Sequence, residues 1–319
     1  AEPLYVAIFE ARKRALGADH PLTLNVMNNL GALYDEGNGV PQDYSVALKW
    51  YNLSAAQGYA AAQANLGTMF DNGHGVAQDA AEAAKWFRLA ADQAFAPAQY
   101  SLGTMFANGR GLPKDEVEAA RWYRLAAVQG HAEAQYNLGA SYENGQGVPQ
   151  DHGTAAKWYR LAGEQGHTAA QFHLGVLYDN GQGVTQDYIE ALKWYRIAAA
   201  QGYAPAESNL GSMYEYGLGV SQDYVETVKW YQLAADRGYA KAQYNLGIMY
   251  ANGRAVAQDF VAAHLWLDLA ARGLPALDPK DLHDAIATRD DIANRMTEEQ
   301  LNEAQRRAQE WLAAHANPK

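Results

Sequence analysis

The segment AEAQYNLGASYENGQGVPQDHGTAAKWYRLAG, residues 132–163, holds the plan of the whole chain. Small and apolar residues from Ala132 to Tyr142 follow a helical spacing. A glycine pair, Gly145 and Gly147, interrupts it, and Asp151 opens a second helical period running through Trp158. Reading outward in both directions, the pattern returns every 36 residues. Tryptophan recurs at Trp50, Trp86, Trp122, Trp158, Trp194, Trp230 and Trp266, and Leu-Gly pairs end at Gly31, Gly67, Gly103, Gly139, Gly175, Gly211 and Gly247. Seven copies without an insertion predict an all-α fold, a right-handed solenoid of antiparallel helix pairs, where 319 residues would otherwise suggest two closed domains.

Most recurring residues have local structural roles. Asp43, Asp79, Asp115, Asp151, Asp187, Asp223 and Asp259 stand where a second helix needs its N-cap, and Glu82, Glu118, Glu190 and Glu226 three residues on complete a capping-box pattern. Gly73 and its equivalents suit a left-handed residue after the first helix, and Gly75 and its equivalents a second unusual turn. Ala255 replaces one of these, so the last loop is expected to turn differently. Ala94 replaces the glycine that ends a second helix, and Leu112-Pro113-Lys114 replaces Val-x-Gln, a loop variation without evident chemistry. Gly67 lies inside a helix at a cost of about 1 kcal/mol, so it must serve a close helix approach. Trp86 and Leu89 are expected to meet Leu66 and Phe70 across that contact.

Composition excludes several function classes. A net charge of -11 repels phosphate backbones, so nucleic acid is not an expected partner. No apolar run is long enough to insert into a membrane. The absence of cysteine removes disulfides and thiolate metal sites, and leaves periplasm and cytoplasm both open as compartments. The nine histidines show no i,i+4 pair, no serine sits in a nucleophile motif, and the Gly-x-Gly pairs lack a following Gly-Lys-Ser/Thr. No catalytic residue, metal site or cofactor is expected.

The pattern Ala-x-Ala-Gln-x-Asn-Leu-Gly-x-Met-Tyr/Phe-x-x-Gly-x-Gly-Val-x-Gln-Asp-Tyr-x-x-Ala-x-Lys-Trp-Tyr, clearest at 132–163 and 240–271, resembles the Sel1-like repeat family, a relative of tetratricopeptide repeats. The resemblance implies an adaptor or scaffold that holds a protein or peptide on a curved inner face, in a bacterial source. A structural or self-assembling spacer is the alternative. A cysteine-rich branch of the family, described as beta-lactamase-like, supplies a remote hydrolase alternative, but its disulfide framework and a Ser-x-x-Lys motif are missing here. Residues 3–31 look like the tetratricopeptide variety of kinesin light chains. They suggest that residues 1–21 are the remnant of a repeat and that the natural protein extends further N-terminally or the chain begins in mid-repeat. Residues 22–273 form the seven repeats and 274–319 a capping helix pair, with one helix starting at Asp278-Pro279 and another at Thr297-x-x-Gln300.

Recognition is expected where the copies differ. Three residues before the repeat glycine stand Tyr100, Tyr136, Phe172 and Tyr244, an aromatic stripe that could line a peptide groove or pack between neighbouring first helices. Asp71, Glu143 and Asp179, followed by Asn72, Asn108, Asn144 and Asn180, form an acidic and amide-rich rim suited to a basic or apolar peptide. His173 replaces the usual Asn and reads as a hydrogen-bonding substitute. The chain is expected to be a monomer or a weak homo-oligomer.

Overall fold

The computed structural model describes residues 2–273 and 279–315. Among these residues there are helices and no strand. Helix α1 (Glu2–Leu16) precedes seven helix pairs. The first helices are α2 (Pro21–Glu36), α4 (Ala60–Asn72), α6 (Ala96–Asn108), α8 (Ala132–Asn144), α10 (Thr168–Asn180), α12 (Ala204–Tyr216) and α14 (Ala240–Asn252). The second helices are α3 (Tyr44–Ala55), α5 (Ala80–Ala91), α7 (Glu116–Ala127), α9 (His152–Glu164), α11 (Tyr188–Ala199), α13 (Tyr224–Asp236) and α15 (Phe260–Gly273). Two further helices follow, α16 (Pro279–Ala293) and α17 (Glu298–His315). The chain divides into two compact units, Ala1–His167 with α1 to α9 and Thr168–Lys319 with α10 to α17. From α1 to α9 and from α10 to α16 helices adjacent in sequence pack on one another, and α15 receives both α16 and α17. The expected start at Asp278 lies outside the described residues.

All seven aspartates cap their helices. Asp79 accepts from the backbone N–H groups of Ala81 and Glu82, both at 3.0 Å, and the other six accept from the corresponding first-turn groups. The expected capping box does not close in the repeats. The N–H of Asp79 already donates to the carbonyl of Phe70 at 2.9 Å, so Glu82 has no donor to reach back for and pairs with Lys85 instead. Asp115, Asp187 and Asp223 likewise donate to carbonyls near the end of the preceding first helix. Among the described residues a reciprocal box forms at Thr297 and Gln300, where α17 begins.

The helix contact at the repeat glycine is made by a different residue from the one expected. A Cβ placed on Gly139 would lie 2.7 Å from the Tyr159 ring, and Gly67, Gly103, Gly175 and Gly211 face Phe87, Tyr123, Tyr195 and Tyr231 in the same way. The partner is therefore the residue after each tryptophan. Adjacent positions on a helix are only about 100° apart, so both can lie on the apolar side while only one points at the glycine. Tyr51, Tyr159, Tyr195 and Tyr231 are completely buried, whereas Trp50, Trp86, Trp158 and Trp230 are half-buried and Leu89 is exposed. The tryptophans serve the junction between repeats: Trp86 packs against the cluster of Ala47, Tyr51, Ala55, Ala62, Leu66 and Met69, which joins the preceding second helix to its own first helix, and Trp50 meets Phe9 of α1 edge-on at 5.2 Å.

Loop glycines bring successive repeats together. A Cβ on Gly147 would fall 1.9 Å from the carbonyl oxygen of Glu116 in the preceding second helix, so glycine there serves close approach as well as its positive φ. The loop at Ala255 does not turn differently. Ala255 takes a φ of 58°, held in place by the bonds from Arg254 N–H to Met249, from Asp259 N–H to Tyr250 and from the Gln258 amide to Ala251. Ala94 bears the same left-handed strain, with a φ of 60°.

Buried glutamines tie each first helix to the end of the preceding second helix and to the turn after its own second helix. Gln99 donates to the carbonyl of Ala91 at 3.1 Å and accepts from Gln129 at 2.7 Å, and Gln63 with Gln93 and Gln135 with Gln165 repeat the arrangement. In the sixth repeat the pair becomes Glu207 and Arg237, 3.1 Å apart, with Glu207 only 2% exposed.

Two stability outcomes follow from these contacts. Tyr159→Ala should lower the unfolding free energy by about 3–5 kcal/mol, and Trp158→Ala by less, in urea titrations of the whole chain; the reverse order would place the core contact back at the tryptophan. Burial raises the pKa of Glu207, and Arg237 offsets this only in part. The folded chain therefore gains most from Glu207 below its ordinary value of 4.5 and loses that gain as pH rises through the raised folded value. Glu207→Gln keeps an acceptor for Arg237 and removes this loss, so its melting-temperature advantage should grow as pH rises above about 4.5 in calorimetry. An advantage independent of pH would contradict the reading.

Candidate functional site

The first helices bring the variable positions onto one face of each unit. In unit 1 the half-buried Tyr100 ring stacks on His131 at 4.8 Å and tilts against Tyr123 at 6.0 Å. Tyr136 stacks on His167 at 4.5 Å and tilts against Tyr159 at 5.7 Å. Each ring thus spans from its own first helix to the residue that opens the next. In unit 2 Phe172 lies against Tyr195 and Tyr203, and meets the ring of His173 edge-on at 5.5 Å. Tyr244 packs against two apolar clusters, one of Ala240, Ala270, Ala271 and Ala285 and one of Ala251, Ala263, Leu267 and Ile292. The rings are therefore partly embedded, with an open edge rather than a fully free face.

The carboxylates four residues beyond the repeat glycine are engaged from within the fold. The hydroxyl of Tyr159 donates to Glu143 at 2.5 Å, that of Tyr195 to Asp179 at 3.2 Å, that of Tyr231 to Glu215 at 2.7 Å and that of Tyr51 to Asp35 at 3.4 Å. Burial is the largest cause raising the pKa of these four tyrosines, so the hydroxyls remain protonated donors. Burial also raises Asp35 and Asp179, against the opposing tyrosine hydrogen bonds. Phe87 has no hydroxyl to offer in the second repeat, and Asp71 pairs instead with Arg110 at 3.0 Å. Asn72, Asn108, Asn144 and Asn180 end their first helices with exposed side chains, and Asn144 donates to the carbonyl of Ala140.

Two pockets open between the first helices of unit 1. One, of about 260 Å³, is lined by Thr68 and Asp71 of α4, Tyr100, Thr104 and Asn108 of α6, and Arg110. The other, of about 420 Å³, is lined chiefly by Thr104, Ala107 and Asn108 of α6, Tyr123, and Asn137 and Ser141 of α8, with Lys114 and Glu116 at its side. Thr104 and Asn108 belong to both, so α6 is their common wall. Of the expected site residues, Asp71, Tyr100 and Asn108 come together here. Phe172, Asp179, Asn180 and Tyr244 belong to unit 2 and do not contribute to it. The sequence reading missed Arg110, Lys114, Tyr123 and Asn137, although comparing the copies position by position also through the loop and the second helix would have singled out Arg110 and Lys114.

Among the described residues no group of three His, Cys, Asp or Glu side chains is placed to hold a metal ion, and no helix is long and apolar enough to cross a membrane.

Comparison with known proteins agrees with this architecture. The Sel1 repeat matches residues 25–59, 60–95, 96–131, 132–167, 168–203, 204–239 and 240–273. The chain is similar to a protective antigen of uropathogenic Escherichia coli strains displaying an SLR fold, with 29% identity and a TM-score of 0.76 over 97% of this chain and 71% of that one. It is also similar to a Sel1 repeat protein from Oxalobacter formigenes, with 32% identity and a TM-score of 0.68 over 76% of this chain and 96% of that one. No curated protein sequence matches the chain. Sel1 repeat proteins generally act as protein–protein interaction scaffolds, and their solenoid is typically non-catalytic. With seven consecutive matches covering most of its length, the chain belongs to the Sel1 repeat family.

Proposed function

We propose that the chain is an interaction scaffold that holds a peptide or protein segment along the first-helix face of unit 1. The observation that carries this reading is the pair of adjoining pockets on either side of α6, which together offer an aromatic edge, hydroxyls and amides. An aromatic side chain gives contact area at little cost in conformational entropy, and an Asn amide can both donate to and accept from an extended backbone. Asn72, Tyr136, Glu143 and Asn144 extend the same surface within unit 1. Phe172, Asp179, Asn180 and Tyr244 are the corresponding positions of unit 2, taken by itself.

A generally basic partner has less support than the acidic rim suggested. Glu143 and Asp179 already accept from tyrosine hydroxyls, and Asp71 is paired with Arg110. A partner combining apolar and neutral polar contacts suits the aromatic edges and amides better.

Thr104→Trp places a bulky ring in the shared wall of both pockets. Peptides selected on the parent chain from a random display library should lose at least about tenfold in affinity for this variant, while helicity by circular dichroism stays unchanged. Unchanged affinity for every selected peptide would contradict the assignment of the site to unit 1.

A further inference from the structure

Comparison of the seven copies singles out the third. Four repeats contain a tyrosine hydroxyl donating to a carboxylate four residues beyond the glycine: Tyr51 to Asp35, Tyr159 to Glu143, Tyr195 to Asp179 and Tyr231 to Glu215. The second repeat lacks the hydroxyl and keeps the acid, which Arg110 takes up. The seventh lacks both, having Leu267 and Ala251. The third keeps the tyrosine, Tyr123, but has Ala107 in place of the acid. Its hydroxyl donates to the Thr104 hydroxyl at the long distance of 3.4 Å and interacts with the amide of Asn137. The space beside it is the 420 Å³ pocket.

Two further substitutions converge on the same pocket. In the other six loops a glutamine caps the first helix, as Gln150 does by donating to the carbonyl of Glu143 at 2.8 Å. At that position the third repeat has Lys114, which replaces a neutral amide by a cation. Across the pocket Ser141 occupies a position held by leucine or methionine in the other copies, which leaves more room. Ala107 alone could be explained by the path of Arg110 to Asp71, because Ala251 likewise accompanies Arg254, which pairs with Glu215. Lys114 has no counterpart in the seventh repeat, where Gln258 is retained, and Ser141, contributed by the fourth repeat, stands where the other copies have leucine or methionine.

Resting on the scaffold reading, we infer that this pocket is a subsite for an anionic side chain of the bound segment, an aspartate or glutamate carboxylate. The ligand carboxylate takes the place that Asp or Glu fills in four other repeats. It accepts from the Tyr123 hydroxyl, with the amides of Asn108 and Asn137 and the Lys114 ammonium around it. Lys114 now pairs with Glu116 at 3.0 Å, with Lys114 exposed and Glu116 partly so. Such a pair is weak, so exchanging Glu116 for a ligand carboxylate costs little. A carboxylate bound by both a hydroxyl and an ammonium gains charge-assisted bonds that its neutral amide analogue cannot make.

The probes are N-acetylglutamate amide and N-acetylglutamine amide, titrated separately into the whole chain and followed by the backbone NMR signals of Tyr123 and Asn137. The glutamate probe should bind at least about tenfold more tightly. Ala107→Asp supplies the missing carboxylate from within, so it should abolish that preference while the melting temperature holds or rises, and Lys114→Gln should weaken it. Equal response to both probes, no response, or a preference that survives in Ala107→Asp would overturn the inference. Those outcomes leave the scaffold reading to the display-library test, which does not depend on charge.

Discussion

The structure depends on one recurring contact: an aromatic ring of the second helix pressed flat against a glycine of the first. A Cβ at Gly139 would come within 2.7 Å of Tyr159, so any side chain there would hold the two helices apart. This explains why a helix interior tolerates the glycine, whose intrinsic cost is about 1 kcal/mol relative to alanine. The contact also fixes where the ring's hydroxyl emerges. With Tyr159 completely buried against Gly139, its hydroxyl arrives one turn further on, where Glu143 accepts it. Core packing and the polar lining of the first-helix face are thus set by the same pair of residues.

Stacking one pair on the next uses a separate group of residues. Tryptophans such as Trp86 join the cluster that links one pair to the next, loop glycines such as Gly147 let the next repeat approach the preceding second helix, and buried glutamines satisfy the carbonyls that end it. These groups make nearest-neighbour contacts, the feature that lets repeat stability build as a sum of local terms. In the last turns of the first helices one position stays in the core, as Met69, Leu177 and Met213 do, while the residues that end the helix, Asn72, Asn108, Asn144 and Asn180, are exposed.

Much of the fold was legible in the sequence because its signals are local. An aspartate before a helical run caps it whatever lies nearby, and a glycine after the run supplies the left-handed turn, as the φ of 69° at Gly145 shows. Signals that depend on neighbours were less legible. Glu82 had the spacing of a capping box, but the N–H it would have served was already bonded to Phe70. Ala255 suggested a changed loop, but the surrounding hydrogen bonds keep the turn and leave the alanine strained. Trp86 stood out by its regularity, yet Phe87 makes the close contact with Gly67. The pockets were least legible, because their walls come from adjacent repeats and loops, and Lys114 passed for simple loop variation until it lay beside Ala107 and Ser141.

In the proposed scaffold reading, recognition is a property of divergence among otherwise equal units. The repeated residues build a regular surface, and the third repeat departs from it by losing a carboxylate and gaining a cation, beside the space opened by Ser141 of the fourth. The most direct test is methyl NMR of the whole chain, labelled at alanine, threonine and methionine, with a display-selected peptide added. The account predicts shifts centred on Thr104, Met105, Ala107 and Ala140, with the equivalent methyls of the sixth repeat, such as Met213, unmoved. Shifts spread evenly over equivalent positions of all repeats would contradict it, because recognition would then lie in what the copies share.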